Sequence, residues 1–262
     1  MRRCFNVKGP GAQRHPWTGE QLLLALRLYC QTPFGKLHQR NPEIIALAKK
    51  LGRTPSAVAM KACNFASLDP RLGQRVKGLG NVSTADRQLW EEFLHNPEAI
   101  AAKTESTAYR LLGKKAMDTR PLLPPEGPTE LLRTVRARRV QSFFRAAVLS
   151  GYNFRCALTG LAIPNLLNAS HIIPWSESVE RRADPRNGIC LNALHDRAFD
   201  RGLIAIDDEY RVVISPLVSK TKGDMYAAQV LGSMEGTKLM LPERFEPDQS
   251  ALAWHRRHIF QS

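Results

Sequence analysis

The chain lacks the features that mark secreted, membrane-spanning or repetitive proteins. Its five cysteines, at positions 4, 30, 63, 156 and 190, are odd in number and form no CxxC pair. That excludes a disulfide framework and a four-cysteine zinc knuckle, and it fits a reducing compartment. No stretch approaches the roughly 18 uninterrupted apolar residues that a membrane-spanning helix needs. The opening MRRCFNVKGPGAQRHPW is basic with no apolar segment behind it, so a cytoplasmic protein without membrane attachment is the expectation. There is no internal repeat of roughly 20 to 50 residues and no long low-complexity tract. Acidic residues are scarce too: 24 Asp and Glu stand against 38 Lys and Arg, a formal net charge of +14. Such an imbalance points to a polyanionic partner, nucleic acid or an acidic membrane surface. The excess is uneven. Residues 1–120 hold 20 basic and 9 acidic residues, a net of +11, whereas residues 121–262 hold 18 and 15, a net of +3.

What is present divides in two. Pro121, Pro124, Pro125 and Pro128 lie within eight residues and cannot sit inside a helix, so 119–129 reads as an extended linker between a basic domain at 1–118 and a second domain at 130–262. In the first part the apolar spacing is helical throughout. Leu22, Leu23, Leu26 and Tyr29 share a face behind a Thr18 cap, and Leu89, Trp90, Phe93 and Leu94 do the same behind Ser83 or Thr84. After the linker, Thr129 caps a helix running to Leu149. Short β-prone runs follow, with IAID and YRVVIS around Asp208 and Glu209 reading as a hairpin. The fold class expected is α+β, an all-helical domain followed by a mixed one.

Within NPEIIALAKKLGRTPSAVAMKACNF, the small Ala48 lets two helices approach, Gly52 permits a positive-φ turn, and Val58 plugs the shared core. Thr54 and Pro55 start the second helix, which runs to about Asn64. Arg53, Ser56, Lys61 and Asn64 would be its exposed face. In a helix-turn-helix that face enters the major groove of DNA; the alternative is a helical hairpin whose charges only keep it soluble. The opening Trp17-Thr18-x-Glu20 resembles the start of Myb-like three-helix domains.

The second part carries chemistry. His171, in SHIIPW, is an ionisable group among residues that prefer a core, and such a histidine is ordinarily a hydrogen-bonded core residue. Downstream, Asn187 and then His195 follow in order. LLNASHI forms one strand, the polar stretch 174–187 a loop, GICLN a second strand and ALHDRAFD a helix across both. Such a unit brings His171 and His195 to one cleft. Asp196 and Asp200 are the nearest carboxylates and lie one helical turn apart on one face.

With these residues in view, Cys156 to Asp207 resemble the HNH, or ββα-metal, nucleases, in particular those of bacterial restriction-type endonucleases with HI-P-W, NG-x-x-L and H-x-x-x-F-D-x-G patterns. The lead-in RRVQSFFRAAVLSGYNFRCALTG extends the likeness to about 138–210. The resemblance implies a phosphodiester hydrolase in which His171 is the general base, a role suited to a group with an ordinary pKa of about 6.5. It implies that Asn187 positions that base or its loop, with Gly188 allowing a tight turn, and that His195 binds a divalent cation. Many members have Asp or His before the base histidine as a metal ligand; here Ser170 stands there, and Asp200 is the supplementary ligand considered. A hard ion, Mg²⁺ or Mn²⁺, suits the site. The two CxxC pairs that hold structural zinc in many members are missing, which leaves Cys156 and Cys190 as small core residues. Arg133, Arg136, Arg138, Arg139 and Arg145 on the lead-in helix, and Arg181, Arg182 and Arg186 in the loop between the strands, are placed to meet phosphate. Trp175 reads as a packing residue, and LAWHRRHIF, with Trp254, His255 and His258, as a terminal amphipathic helix with no tie to the catalytic set.

The expectation is a metal-dependent DNA endonuclease in bacterial restriction or phage defence, with DNA as partner and a homodimer left open. Two competitors stand beside it: a DNA-binding regulator with a degenerate, inactive HNH unit, and a nuclease directed at RNA.

Overall fold

The Thr18 hydroxyl oxygen accepts a hydrogen bond from the Gln21 backbone while the Gln21 side-chain oxygen accepts one from the Thr18 backbone N–H, and behind this capping box runs α1 (Gly19–Gln31). Leu22 to Leu26, Leu28, Tyr29 and Cys30 are buried on every side of that helix, so α1 is the axis of a bundle and not a surface helix. The computed structural model describes residues 15–73, 82–113, 128–220 and 225–262. Around α1 stand α2 (Pro42–Leu51), α3 (Pro55–Leu68), the short α4 (Pro70–Gly73), α5 (Thr84–His95) and α6 (Pro97–Leu112). The helical reading of this half holds, with the predicted caps Thr18, Thr54 and Ser83 in place.

The α2–α3 pair also forms as its sequence requires. Gly52 has φ +63° and closes α2 by donating to Ala48 O, while Ala48 and Val58 are buried between the helices. Part of its assigned DNA-reading face, however, is inside the protein. Lys61 is 8% exposed and donates to both oxygens of Asp86, at 3.0 and 2.9 Å, and Asn64 donates to the same carboxylate at 3.1 Å. Arg53 is spent on the carbonyls of His15 and Pro16 and on Gln21, with its guanidinium over Trp17. Ser56 is exposed and bonded to Thr54. A helix packed against α1, α2 and α5 cannot reach a groove with Lys61 and Asn64, which corrects the DNA-contact assignment of those two residues.

The proline-rich stretch falls mostly on 114–127, outside the described residues. From Pro128 the chain forms α7 (Pro128–Gly151), a helix with two apolar faces. Val140, Phe143 and Ala147, spaced by three and four, enter the core of the helical bundle, and Phe144, Val148 and Leu149 enter a second core. The second core is built on β1 (Leu167–His171) and β2 (Gly188–Asn192), an antiparallel pair with Leu167 opposite Asn192 and His171 opposite Gly188. Next come α8 (Ala193–Asp200) and the hairpin of β3 (Ile204–Ile206) and β4 (Val212–Ile214). The strand, strand, helix order and the later hairpin are those read from the sequence. Then follow α9 (Pro216–Lys220), α10 (Met225–Val230) and α11 (Gln249–His258). The C-terminal stretch returns to the first core. Phe245 packs with Tyr29, Trp90 and Phe93, and the fully buried Arg244 donates to Cys30 O and to Ser150 Oγ. No helix among the described residues is long and apolar enough to cross a membrane.

Candidate functional site

β1 ends on His171 directly opposite the first residue of β2, so the intervening loop must be folded back over the end of the pair. Asn187, fully buried, does this. Its side-chain oxygen accepts from Ile173 N (2.8 Å), and its amide donates to Ile173 O (3.0 Å) and Arg181 O (3.3 Å). The loop so held brings the Arg182 carbonyl to 3.1 Å from His171 Nε2. A carbonyl only accepts, so Nε2 carries the proton and Nδ1 of the neutral ring keeps its lone pair. The ring stacks on Phe144 at 3.7 Å and meets Trp175 edge-on at 5.7 Å. Burial lowers the His171 pKa to about 4; the Arg182 carbonyl opposes this and the Arg182 charge adds to it. The imidazole is therefore neutral at physiological pH.

Gly188 has extended backbone, φ −139°, so a tight turn is not its reason. A Cβ there would run into Val148 and Phe144. The glycine lets α7 lie directly on the strand pair, and with it the Phe144 ring that supports His171.

His171 lines a cleft of about 610 Å³ together with Ser170, Asp196, Asp200, Arg145, Arg197 and Arg201. Asp196 and Asp200 share one face of α8, a turn apart. Asn168 donates to Asp196 at 2.7 Å. Partial burial first, and the neighbouring Asp196 charge second, raise the Asp200 pKa to about 6, against the pull of Arg197 and Arg201. Ser170 is 2% exposed and its hydroxyl has no partner.

His195 is not in this cleft. It is 1% exposed and sits at the third position of α8, where its side chain turns under the end of β2. Its Nδ1 lies 3.1 Å from Asn192 Nδ2 and 4.0 Å from Cys156 Sγ, and its Nε2 is buried without a partner. One residue further along the helix, a rotation of about 100° carries Asp196 to the cleft face in its place. The placement of His171 and His195 on one cleft, and His195 as a ligand there, are thereby corrected. Cys156 accepts from Asn192 N at 3.3 Å. Burial pushes its thiol up, but hydrogen bonds with His195, Thr159 and the Leu158 backbone outweigh this and bring it to about 7. Cys156 and Cys190 are both fully buried in the second core.

Residues 156–207 match the family model of the HNH endonucleases.

That HNH module covers about a fifth of the chain and suggests a nuclease acting on DNA. No curated protein matches the chain. Of the residues the sequence singled out in the module, His171, Ser170 and Asp200 line the cleft, and Asn187 holds the loop beside it. Asp196, which the sequence put one turn from Asp200 on the same face, lines it too. Arg197 and Arg201 also line the cleft. Of the arginines assigned to DNA, Arg145 borders the cleft and donates to Leu167 O at 2.8 Å. Arg139 bonds Ser106 and covers Tyr109, and Arg138 is half-buried on the same helix. Arg186 is held by Asp184, at 3.0 and 3.1 Å. The side chains of Arg133 and Arg136 lie outside the described residues. His255 of α11 borders the cleft as well, against the reading of the terminal helix as unconnected with it.

Among the described residues no group of three or more His, Cys, Asp and Glu converges on one point. Even so, the residues of the cleft fit the divalent cation of the HNH family. Two carboxylates stand a turn apart at the cleft, where the Asp196 charge raises the cost of ionising Asp200, and beside them a buried hydroxyl lacks a partner. All these donors are oxygen, the set that Mg²⁺ and Mn²⁺ prefer and zinc does not.

Proposed function

We propose that the protein is a cytoplasmic, metal-dependent DNA endonuclease. One observation carries this: a neutral imidazole, an acidic pair and two arginines of the HNH module line a single cleft, with Arg145 of α7 beside them. His171 Nδ1 takes a proton from water as its oxygen bonds to phosphorus and the bond to the 3′ oxygen breaks. Asn187 keeps the loop, and so the tautomer of that base, in place. Asp196, Asp200 and Ser170 would hold the cation. A divalent ion held there would supply positive charge against the negative charge that develops as the phosphodiester breaks. Arg145, Arg197 and Arg201 hold the phosphate backbone, while Arg138, Arg139 and Arg186 extend the basic surface along it. The setting in bacterial restriction or phage defence rests on the likeness of the HI-P-W and H-x-x-x-F-D-x-G motifs, and a homodimer would offer one cleft to each strand.

Plasmid DNA with Mg²⁺ or Mn²⁺ tests the reading. Cleavage is expected, and His171→Ala should abolish it, a loss of at least the 10²-fold or so that general-base catalysis contributes, while DNA binding in a gel-shift assay is kept. A second reading, a DNA-binding regulator with an inactive HNH unit, is favoured by Ser170 standing where many members have a ligand and by the inward turn of His195. Binding without cleavage under every metal would establish it, and cleavage of RNA alone would point to the third.

A further inference from the structure

We propose that His255, which lies 48 residues beyond the HNH module, is a positioning residue for Asp200, so that the C-terminal segment completes the cleft. The inference rests on the reading of Asp196 and Asp200 as the cation-holding pair.

α8 ends at Asp200, and the last carbonyls of a helix need donors from elsewhere. Phe199 O accepts from Gly202 N at 2.9 Å at the helix end itself, and the C-terminal segment adds further donors. His255 Nε2 lies 3.0 Å from Phe199 O, Gln261 Nε2 donates to Arg201 O at 2.9 Å, and Gln261 N donates to Gly202 O at 3.0 Å. The Phe199 carbonyl belongs to the peptide that joins Phe199 to Asp200, so the imidazole grips the backbone at the carboxylate-bearing residue itself. The grip is reinforced by the ring, which stacks on Phe199 at 3.8 Å with planes 8° apart. His255 is 2% exposed and borders the cleft. Because a carbonyl only accepts, Nε2 carries the proton, and Nδ1 is left buried with no protein partner. Gly202 shows how tightly the segment closes: at φ +68°, a Cβ would collide with the carbonyl oxygen of Ile259. The glycine of the F-D-x-G motif is thus the contact that lets the C-terminal segment reach the end of α8.

The test is Mn²⁺ binding to the full chain without DNA, by calorimetry or electron paramagnetic resonance. His255→Phe keeps the ring stack and removes the donor. It should weaken Mn²⁺ binding by roughly 10- to 100-fold, the range for groups that orient metal ligands, and raise the Mn²⁺ needed for half-maximal cleavage with DNA affinity unchanged. His255→Gln, which keeps a donor, should recover most of the loss. Arg256→Ala is the control: it frees α11 from the Ile206 carbonyl and Asp208 without touching α8, and should lower Tm while leaving Mn²⁺ affinity as it was. Equal Mn²⁺ affinity in His255→Phe, or an equal loss in Arg256→Ala, overturns the proposal. Should His255→Phe fail to fold, Gln261→Ala must weaken Mn²⁺ binding in the same direction, and an unchanged affinity there overturns it too. An unaltered chain that neither binds Mn²⁺ nor cuts DNA removes the cation-site reading and this one together. Flat His255 arms beside a working parent remove this one alone.

Discussion

Asp200 and His171 divide the pH dependence of the cleft between them. Burial keeps His171 neutral down to about pH 4, so its protonation is complete only well below the range in which the protein would work. Asp200 titrates near 6, raised by burial and then by Asp196. A carboxyl whose folded pKa lies above its ordinary value makes the metal-free fold more stable as pH falls through about 6 and less stable as pH rises through it. A cation binds the ionised form, so its affinity runs the other way, rising with pH through the same window. The expected outcome is an acid limb of Mn²⁺ affinity near pH 6, set by the carboxyl. In the metal-free protein, carbon NMR should place the Asp200 titration near 6 and find it lower in Asp196→Asn. An Asp200 titration left in place by that change would remove the coupling.

Among the elements, α3 shows how one local pattern serves two folds. Ala48, Gly52 and Val58 specify a helix pair, and they do so equally for a pair that enters a DNA groove and for one inside a bundle. The distinction rests on Asp86, 25 residues further on, which draws Lys61 and Asn64 inward. Removing one partner of a buried ion pair strands the other charge, at a cost of about 3–5 kcal/mol. Lys61→Ala should therefore lower unfolding free energy by about that amount in urea titrations and leave DNA affinity per folded molecule unchanged. A weakened DNA affinity with normal stability would restore the groove-binding role.

On the scale of the whole molecule, the two halves are joined by α7, whose opposite faces enter both cores, by Arg244 and Phe245, and by an Arg71–Glu246 pair at 2.7 Å. The described helices of the first half are thus fixed to the body that carries the cleft. DNA affinity should fall steeply with salt, because each phosphate contact releases counterions. Changing Arg197 and Arg201 together to Gln should reduce the slope of log affinity against log salt by about 2. An unchanged slope in fluorescence anisotropy titrations would exclude them as phosphate contacts.

The HNH module was legible in sequence because its parts are consecutive. A strand ending in histidine, a loop closed by asparagine and a helix bearing two acids a turn apart lie within about fifty residues, and local hydrogen bonding decides each of them. Helix caps were equally local. What faces the cleft was settled only by packing. One step of helical rotation puts Asp196 there and folds His195 under β2, and the length of α11 brings His255 to the end of α8 from far along the chain. Side-chain periodicity ranks the faces of an element; which neighbour covers each face depends on contacts between residues that the sequence keeps apart.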